Sequence, residues 1–212
     1  MTSAKDRPGS DTMIEIRIHG RGGQGGVTLA KLIATSRFLQ GLSVQAFGLY
    51  AAERSGAPIQ AFCRYSREPI TNRNLIYEPD HVVVLDTTLI GPAIMDGLKP
   101  GGWICARTPG KYSYVALVAR AVPNRLHGQV LARVQPGRKS VDVFPTVYKL
   151  NTRKAIAAVF PGKCYEDCTY YYAGEPAYHF GSAVMYQLLR FVAWVSPRPF
   201  YANLFVFLRK KS

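Results

Sequence analysis

Acidic side chains are scarce in this chain, which has 13 Asp and Glu residues against 27 Lys and Arg. The net charge of +14 is high for 212 residues. The shortage lies in the second half: residues 1–108 carry 12 basic and 9 acidic side chains, whereas residues 109–212 carry 15 and 4. A basic surface can meet nucleic acid, an anionic membrane or an acidic protein. The first half gives little reason to invoke such a partner, so the basic charge that needs an explanation is that of the second half.

Cysteine is also rare, and the four cysteines form neither a secreted disulfide framework nor a cluster-binding run. A [4Fe–4S] site needs a run such as C-x2-C-x2-C, which the sequence lacks. Cys164 and Cys168 with His179 suggest zinc only weakly, because no fourth ligand is evident, and we expect no metal site. Cys63 and Cys105 fall in predicted strands, where buried, inert thiols are expected.

Long apolar runs are absent too. No uninterrupted stretch reaches the roughly 18 residues that a transmembrane helix needs. The longest candidate, residues 191–208, is interrupted by Pro197, Arg198 and Pro199. Residues 1–12 are polar, lack the apolar core of a signal peptide, and are expected to form a disordered leader. We therefore expect a cytoplasmic protein that does not contact a membrane.

Residues 13–108 have the pattern of an α/β domain. Residues 13–20 alternate apolar and polar side chains and predict a strand, and residues 27–41 have roughly helical spacing of Leu29, Leu32, Ile33 and Phe38. Further strands are predicted at 43–50, 59–66, 81–86 and 103–108. The run at 81–86 is almost continuously apolar, as in strands of parallel sheets covered on both faces. This order predicts a three-layer, Rossmann-like sheet with helices on both faces.

A glycine-rich loop separates the first strand from the first helix, with Gly20, Gly22, Gly23, Gly25 and Gly26. In such a loop the backbone N–H groups can approach an anion, and the helix N-terminus adds positive partial charge. The spacing matches the dinucleotide pattern, but the second strand does not end in the acid that would hold a ribose. Nor is it a P-loop, because valine follows the last glycine. Anion binding, and tight packing that also allows contact with a neighbouring chain, both remain open.

A second loop follows the second strand and contains Glu53 and Arg54. The Arg54 guanidinium could bind a phosphate or carboxylate through two hydrogen bonds. An ion pair in solvent is the simpler interpretation of the same two residues.

Three segments together resemble a known family. They are GRGGQGGVTLAK at 20–31, AFGLYAAERSGAPIQAFCRYS at 46–66 and IYEPDHVVVLDTTL at 76–89. In this order and spacing they resemble the gamma subunit (gamma domain) of the 2-oxoacid:ferredoxin oxidoreductases, in the pyruvate/oxalate branch. The resemblance covers about residues 13–108, which we therefore assign to the α/β gamma domain.

The resemblance implies a gamma-type subunit of a multi-subunit enzyme that oxidatively decarboxylates a 2-oxoacid such as pyruvate or oxalate. Electrons would pass through iron–sulfur clusters to ferredoxin, in an anaerobic metabolism, and coenzyme A is a possible acyl acceptor. Thiamine diphosphate, Mg and the [4Fe–4S] clusters would be held by partner subunits of alpha, beta and delta type. We therefore expect this chain to hold no cofactor alone and to carry no catalytic residue.

The resemblance also implies where partners would meet the chain. The family's glycine loop falls on Gly20, Gly22, Gly23, Gln24, Gly25 and Gly26, and Thr28 lies beside it in the helix. The Glu-Arg-x-Gly-Ala-Pro element falls on Glu53, Arg54, Gly56, Ala57 and Pro58. Both loops are expected to face partner subunits, with Arg54 and the loop N–H groups near any coenzyme A phosphate.

Two further polar residues lie at strand ends. Asp86 could face a ligand at the end of its strand, as α/β sheets often arrange, or cap the following helix through N–H groups near Leu89. His19 is expected to be a packed strand-end residue rather than a general base.

After about Pro109 the family pattern is lost. Residues 109–212 hold ten of the 13 tyrosines and eight of the 14 prolines and show no sustained period, although 183–195 could form a helix. They could be a divergent completion of the same domain, with a basic surface for an acidic subunit, or an out-of-frame translation that would leave an exposed half-sheet. A nucleic-acid module is disfavoured because no binding motif is recognisable, so we expect no nucleic-acid partner.

Two other functions fit parts of the sequence. The small subunit of an indolepyruvate-type oxidoreductase has a similar glycine loop and arginine-containing element, but AFGLYAAERSGAP fits the pyruvate/oxalate branch better. A stand-alone nucleotide-binding regulatory module is the alternative from another class.

Overall fold

The computed structural model describes residues 13–50, 56–91, 97–113, 116–117, 150–174 and 182–212. The described strands are β1 Ile14–Arg21, β2 Ser43–Tyr50, β3 Pro58–Ser66, β4 His81–Val84, β5 Trp103–Pro109, β6 Tyr165–Asp167, β7 Tyr170–Tyr172 and β8 Asn203–Lys210. The described α-helices are α1 Gly26–Phe38, α2 Arg153–Val159 and α3 Ala183–Val195. Short 3-10 helices span Thr87–Leu89 and Arg198–Phe200.

All eight strands belong to one mixed sheet. The strand order is β2-β3-β1-β4-β5-β8-β6, and β7 also pairs with β8. Strands β1, β4 and β5 are parallel neighbours. Strand β3 pairs antiparallel with both β1 and β2, so β1 and β2 run in the same direction with β3 between them. The α/β prediction is confirmed, and the strands predicted in the first half form with small shifts at their ends.

The two faces of the sheet carry separate cores. Ile16, Ile18, Ala61 and Cys63 pack with α1 on one face, which we call the α1 face. The other face, the α2 face, packs Val82, Val84, Ile104, Ala106 and the C-terminal strand residues Leu204, Val206 and Leu208 with Ile156 of α2. Because successive strand residues point to opposite faces, Val83 faces α1 whereas Val82 and Val84 do not. Helices therefore cover both faces, as the sequence predicts.

Helix α1 approaches the sheet through small residues. Ala30 and Ala34 are buried against β1 and β3, while Leu32 and Phe38 are 62% and 64% exposed. Of the four apolar residues at helical spacing, Leu29 and Ile33 pack against the core of the α1 face, whereas Leu32 and Phe38 lie on the exposed side. Alanine at the contact lets the helix axis lie close to the sheet, which turns the larger side chains outward.

The described part of the second half completes the same sheet. Strand β8 pairs with β5 along its length, from Trp103 opposite Arg209 to Pro109 opposite Asn203. Leu150 and Phe160 join the core of the α2 face. The divergent-completion and out-of-frame interpretations of residues 109–212 both stay predictions. The domain boundaries at residues 12 and 108 stay predictions.

Candidate functional site

The glycine loop lies at the carboxyl end of β1 and is closed by a reciprocal pair of hydrogen bonds. The backbone N–H of Arg21 donates to Gln24 Oε1 at 2.8 Å, and the N–H of Gln24 donates to the Arg21 carbonyl at 3.0 Å. Gly23 and Gly25 have φ of 93° and 80°, a region that side chains with a Cβ rarely adopt. The loop thus needs glycine at both positions for its backbone path.

Gly20 and Gly25 serve different purposes. A Cβ added at Gly20 would lie 3.2 Å from Leu85 Cδ1 and 3.3 Å from Gln24 Oε1, so glycine allows these side chains to pack closely against the backbone there. A Cβ added at Gly25 would have nothing within 4 Å, so this side of the loop is open. The packing interpretation therefore fits Gly20, whereas Gly25 leaves room for an approaching group.

The start of α1 presents backbone donors beside this open side. The first intrahelical bond runs from Leu29 N to the Gly25 carbonyl at 2.8 Å, so the N–H groups of Gly26, Val27 and Thr28 have no partner within the helix. The first turn has no acidic residue, and Gly25 provides no side-chain cap. Backbone N–H groups without a helix partner, and a first turn without an acidic residue, are typical of an anion-binding helix N-terminus, and Thr28 lies in this turn.

Arg21 joins three segments at this end of the sheet. Its Nε donates to Asp86 Oδ2 at 2.8 Å, its Nη1 to the Gly56 carbonyl at 3.1 Å and its Nη2 to Thr88 Oγ1 at 3.0 Å. Arg21 is the last residue of β1, whereas Asp86 follows β4, which is parallel to β1. Sequence reasoning missed Arg21. The available signal was an arginine and an acid at the carboxyl ends of two predicted strands.

Asp86 has two roles at once. Its Oδ1 accepts hydrogen bonds from the Thr88 N–H at 2.9 Å and from Thr88 Oγ1 at 2.6 Å, which caps the 3-10 helix at 87–89. Partial burial would raise the pKa of Asp86, but the hydrogen bonds from Thr88 and the guanidinium of Arg21 outweigh it, and the pKa lies below its usual value. The capping interpretation is confirmed through Thr88 rather than through the N–H of Leu89, which bonds the Asp86 carbonyl.

The second loop is attached to the first. The N–H of Gly22 donates to the Ala57 carbonyl at 2.9 Å, and the N–H of Gly56 donates to the Gly22 carbonyl at 3.3 Å. Gly56 has φ of 88°, which accounts for glycine at this position. The structure thus brings together the glycine loop and Gly56. Arg54 and Glu53 lie outside the described residues.

His19 is a buried strand residue, as expected. Burial and the charge of Arg17 lower its pKa from 6.5 to about 4, so the imidazole is neutral at pH 7. Its Nε2 has no hydrogen-bond partner among the described residues.

The four cysteines are free thiols that differ in burial. Burial raises the pKa of Cys63 to about 11 and also raises the pKa of Cys105, so both thiols stay protonated at neutral pH. Cys164 and Cys168 are exposed and free.

Among the residues with described positions, no group of three potential metal ligands occurs. Likewise, no helix in the described ranges is long and apolar enough to cross a membrane.

Comparison with known proteins places this arrangement in a family. Residues 15–163 match the sequence profile of the pyruvate ferredoxin/flavodoxin oxidoreductase family, so the match extends past the three motifs. The chain is 52% identical over 97 residues to the common gamma subunit of the pyruvate/ketoisovalerate oxidoreductases of Thermococcus litoralis, covering 45% of this chain and 52% of the relative. It is 47% identical over 102 residues to pyruvate synthase subunit PorC of Methanothermobacter marburgensis, covering 48% and 58%.

A solved structure shows a weaker likeness. The pyruvate oxidoreductase subunit PORC of Thermotoga maritima is 26% identical, with a TM-score of 0.39, and the alignment covers 69% of this chain and 90% of that one. The chain spans about half the length of the curated relatives it matches. Because the family profile covers more than half of the sequence, the chain belongs to the pyruvate ferredoxin/flavodoxin oxidoreductase family.

Proposed function

We propose that this chain is the gamma-type subunit of a multi-subunit 2-oxoacid:ferredoxin oxidoreductase. The observation that carries the proposal is the 52% identity to a gamma subunit over 97 residues. The joined loops at the carboxyl end of β1 support it, because they carry two of the motifs that resemble the family. The reaction would be oxidative decarboxylation of a 2-oxoacid, with pyruvate as the first candidate and oxalate as a further one.

The chemistry would lie on partner subunits. Thiamine diphosphate, Mg and the [4Fe–4S] clusters would be bound by chains of alpha, beta and delta type, and ferredoxin would accept the electrons. In this assembly the gamma chain would contribute binding surfaces rather than a catalytic group. An anaerobic metabolism and a cytoplasmic location belong to the same proposal.

A phosphate of coenzyme A is our proposed ligand for the glycine loop. The open side of Gly25 and the N–H groups of Gly26, Val27 and Thr28 fit such an anion. Arg54, which belongs to the family motif, would add a guanidinium that binds the phosphate through two hydrogen bonds. Arg21 would not contact the phosphate, because its guanidinium is already bonded to Asp86, Gly56 and Thr88.

Purification of the tagged chain from its native cells, without oxygen, tests this function. We expect it to elute with other chains, with bound thiamine diphosphate and iron, and to show pyruvate-dependent reduction of methyl viologen. Activity with indolepyruvate but not pyruvate would indicate the indolepyruvate-type enzyme. A chain that elutes alone and is protected from proteolysis by a nicotinamide nucleotide would contradict the proposal and indicate a regulatory module.

The ligand is tested separately on the same complex. Replacing Thr28 by Val removes a hydroxyl without altering the helix N–H groups, whereas Gly25→Ala places a Cβ in the open space and strains the positive φ. We expect Gly25→Ala to raise the KM for coenzyme A with little change in the KM for pyruvate. Equal changes in both values would contradict the coenzyme A proposal while leaving the subunit assignment in place.

A further inference from the structure

The α1 face continues beyond α1 onto the C-terminal strands, where it carries an aromatic strip. We use this name for five side chains: Trp103, Tyr170, Tyr172, Phe205 and Phe207. The sheet register pairs Phe207 with Cys105, which pairs in turn with Val83 of the α1 face, so the strip shares that face. Tyr170 and Tyr172 are 49% and 51% exposed.

The rings of the strip hold one another in place. The Tyr170 ring stacks on Phe205 at 5.5 Å and on Phe207 at 5.9 Å between centroids, with interplanar angles of 16° and 10°. Tyr172 meets Phe205 edge to face at 5.6 Å. Packed aromatic rings provide a large and rigid contact area that loses little conformational entropy on binding.

Two arginines lie over this strip. The Cζ atom of Arg107 lies 5.8 Å from the Phe205 ring centroid, and that of Arg209 lies 5.9 Å from the Trp103 ring. Each is also held through Nε, Arg107 by Asn203 Oδ1 at 3.0 Å and Arg209 by the Gly101 carbonyl at 3.4 Å. The ring and the Nε bond fix each guanidinium and leave its two terminal nitrogens for an outside acceptor.

Neither arginine has a carboxylate within ion-pair distance among the described residues. Glu166, the register partner of Arg209 on β6, does not reach it within that distance. Both arginines are exposed. The guanidinium groups of Arg107 and Arg209 can therefore bind carboxylates of another molecule.

We propose that the aromatic strip, with Arg107 and Arg209, binds an acidic, extended segment of a partner protein. Arg209 lies opposite Trp103, four residues along β5 from Arg107, so the two cations are about 13 Å apart along the strands, with Phe207 between them. An extended segment with two acids four residues apart and an apolar residue midway matches this spacing. The inference does not depend on which reaction the complex performs.

The observations favour an acidic protein over the other occupants. A second copy of this chain carries the same charge of +14 and would repel the first. Nucleic acid also binds arginine, but the strip combines Tyr, Trp, Phe and Arg without lysine, which is the composition of protein–protein interface centres.

Peptide binding to the full-length chain tests the proposal. The chain has two tryptophans, so a Trp194→Phe background leaves Trp103 as the fluorescence reporter in the strip. The probe is a peptide containing Glu-Thr-Val-Thr-Glu, and the matched peptide has Gln in place of both Glu residues. We expect the acidic peptide to bind and to change Trp103 emission, with binding weakened by added salt.

Variants identify the cations that bind. We expect R107Q/R209Q to weaken peptide binding about tenfold, the combined effect of two exposed ion pairs. Arg37→Gln is the matched control, because Arg37 also lies over a ring, that of Tyr65, but on α1. The peptide should bind this variant with unchanged affinity. Circular dichroism checks that each variant folds. If R107Q/R209Q does not fold, R107K/R209K should still weaken binding several-fold, because lysine lacks the planar fork.

Four results would overturn the inference. The neutral peptide could bind as well as the acidic one, or Arg37→Gln could lose as much affinity as the double variant. A ten-nucleotide thymidine strand that binds more tightly than the peptide would identify the strip as a nucleic-acid surface. Concentration-dependent self-association that R107Q/R209Q abolishes would identify a second copy as the occupant.

Discussion

Two regions of the sheet use positive charge in different ways: the side formed by β1, β3 and β4, and the pair of strands β5 and β8. On the first side, ion pairs join Arg21 to Asp86, Arg64 to Glu15, and Lys99 to both Glu15 and Asp80. On β5 and β8 no described ion pair occurs, and Arg107 and Arg209 lie over aromatic rings. The ion-paired cations therefore stabilise the fold, whereas Arg107 and Arg209 are available to another molecule.

This comparison depends first on the reading frame beyond codon 108. The family match runs to residue 163 and β8 completes the sheet, so we expect the frame to hold when the gene is resequenced across codons 100–115. A different frame that restores balanced charge and the family pattern would remove β8 and with it the second region.

Loss of Arg64 should have the largest effect on stability. Its side chain is fully buried and donates to the Asn72 and Asn74 carbonyls, each at 2.7 Å, and pairs with Glu15 at 3.3 Å. Arg64→Met would leave these partly buried acceptors without their donor and empty the site of the fully buried guanidinium, and we expect a loss of about 3–5 kcal/mol in the free energy of unfolding. Urea denaturation measures it, with Arg37→Met as the control. Equal losses in both variants would show that the hydrogen bonds and the ion pair of buried Arg64 add no stability beyond that of a partly exposed arginine.

Acid should destabilise the first half through His19. Because its folded pKa of about 4 lies below the ordinary 6.5, the unfolded chain takes up the proton first as the pH falls. The contribution is fully present above pH 6.5 and is lost as the pH falls towards 4, by up to about 3 kcal/mol. Unfolding measured across this range should depend less on pH in His19→Gln.

His81→Gln provides the comparison for this titration. Burial also lowers the pKa of His81, but the charge of Asp80 opposes that shift. We expect His81→Gln to remove less of the pH dependence than His19→Gln. The reverse order would show that His19 is not the main group.

Arg21 should contribute less than Arg64, because its side chain is 26% exposed. Arg21→Gln removes the ion pair with Asp86 and the bonds to Gly56 and Thr88, and we expect a loss of about 1–2 kcal/mol. The change should also make the loop at 56–57 exchange its amide hydrogens faster, since Arg21 holds the Gly56 carbonyl. Unchanged exchange at Gly56 and Ala57 would show that Arg21 does not hold the two loops together.

The smallest effect on stability is expected on β5, at Arg107. Arg107→Gln removes an exposed cation that has no acidic partner in the described structure, and we expect a change below about 0.5 kcal/mol. Thermal unfolding measures it. A loss as large as that of Arg21→Gln would break the comparison, because it would show that this arginine also serves the fold.

The order of elements in the first half could be predicted from local pattern. Alternation at 13–20 and the apolar run at 81–86 indicated strands β1 and β4, and the glycines indicated the turn between β1 and α1. The position of β3 between β1 and β2 could not be predicted, because strand order depends on contacts far apart in sequence. The exposed positions of Leu32 and Phe38 could not be predicted either, because helical spacing does not say which side chains meet the sheet.

The sequence by itself determined the family, the α/β class and the glycine loop, because these depend on residue types at short spacings. Only the tertiary structure decided that Arg21 bonds Asp86, 65 residues away, and that Gly20 packs against Leu85. It also decided that Arg107 lies over Phe205, on a strand that begins far later in the chain. Such contacts are set by strand register and sheet order, which the chain acquires only when distant segments pair.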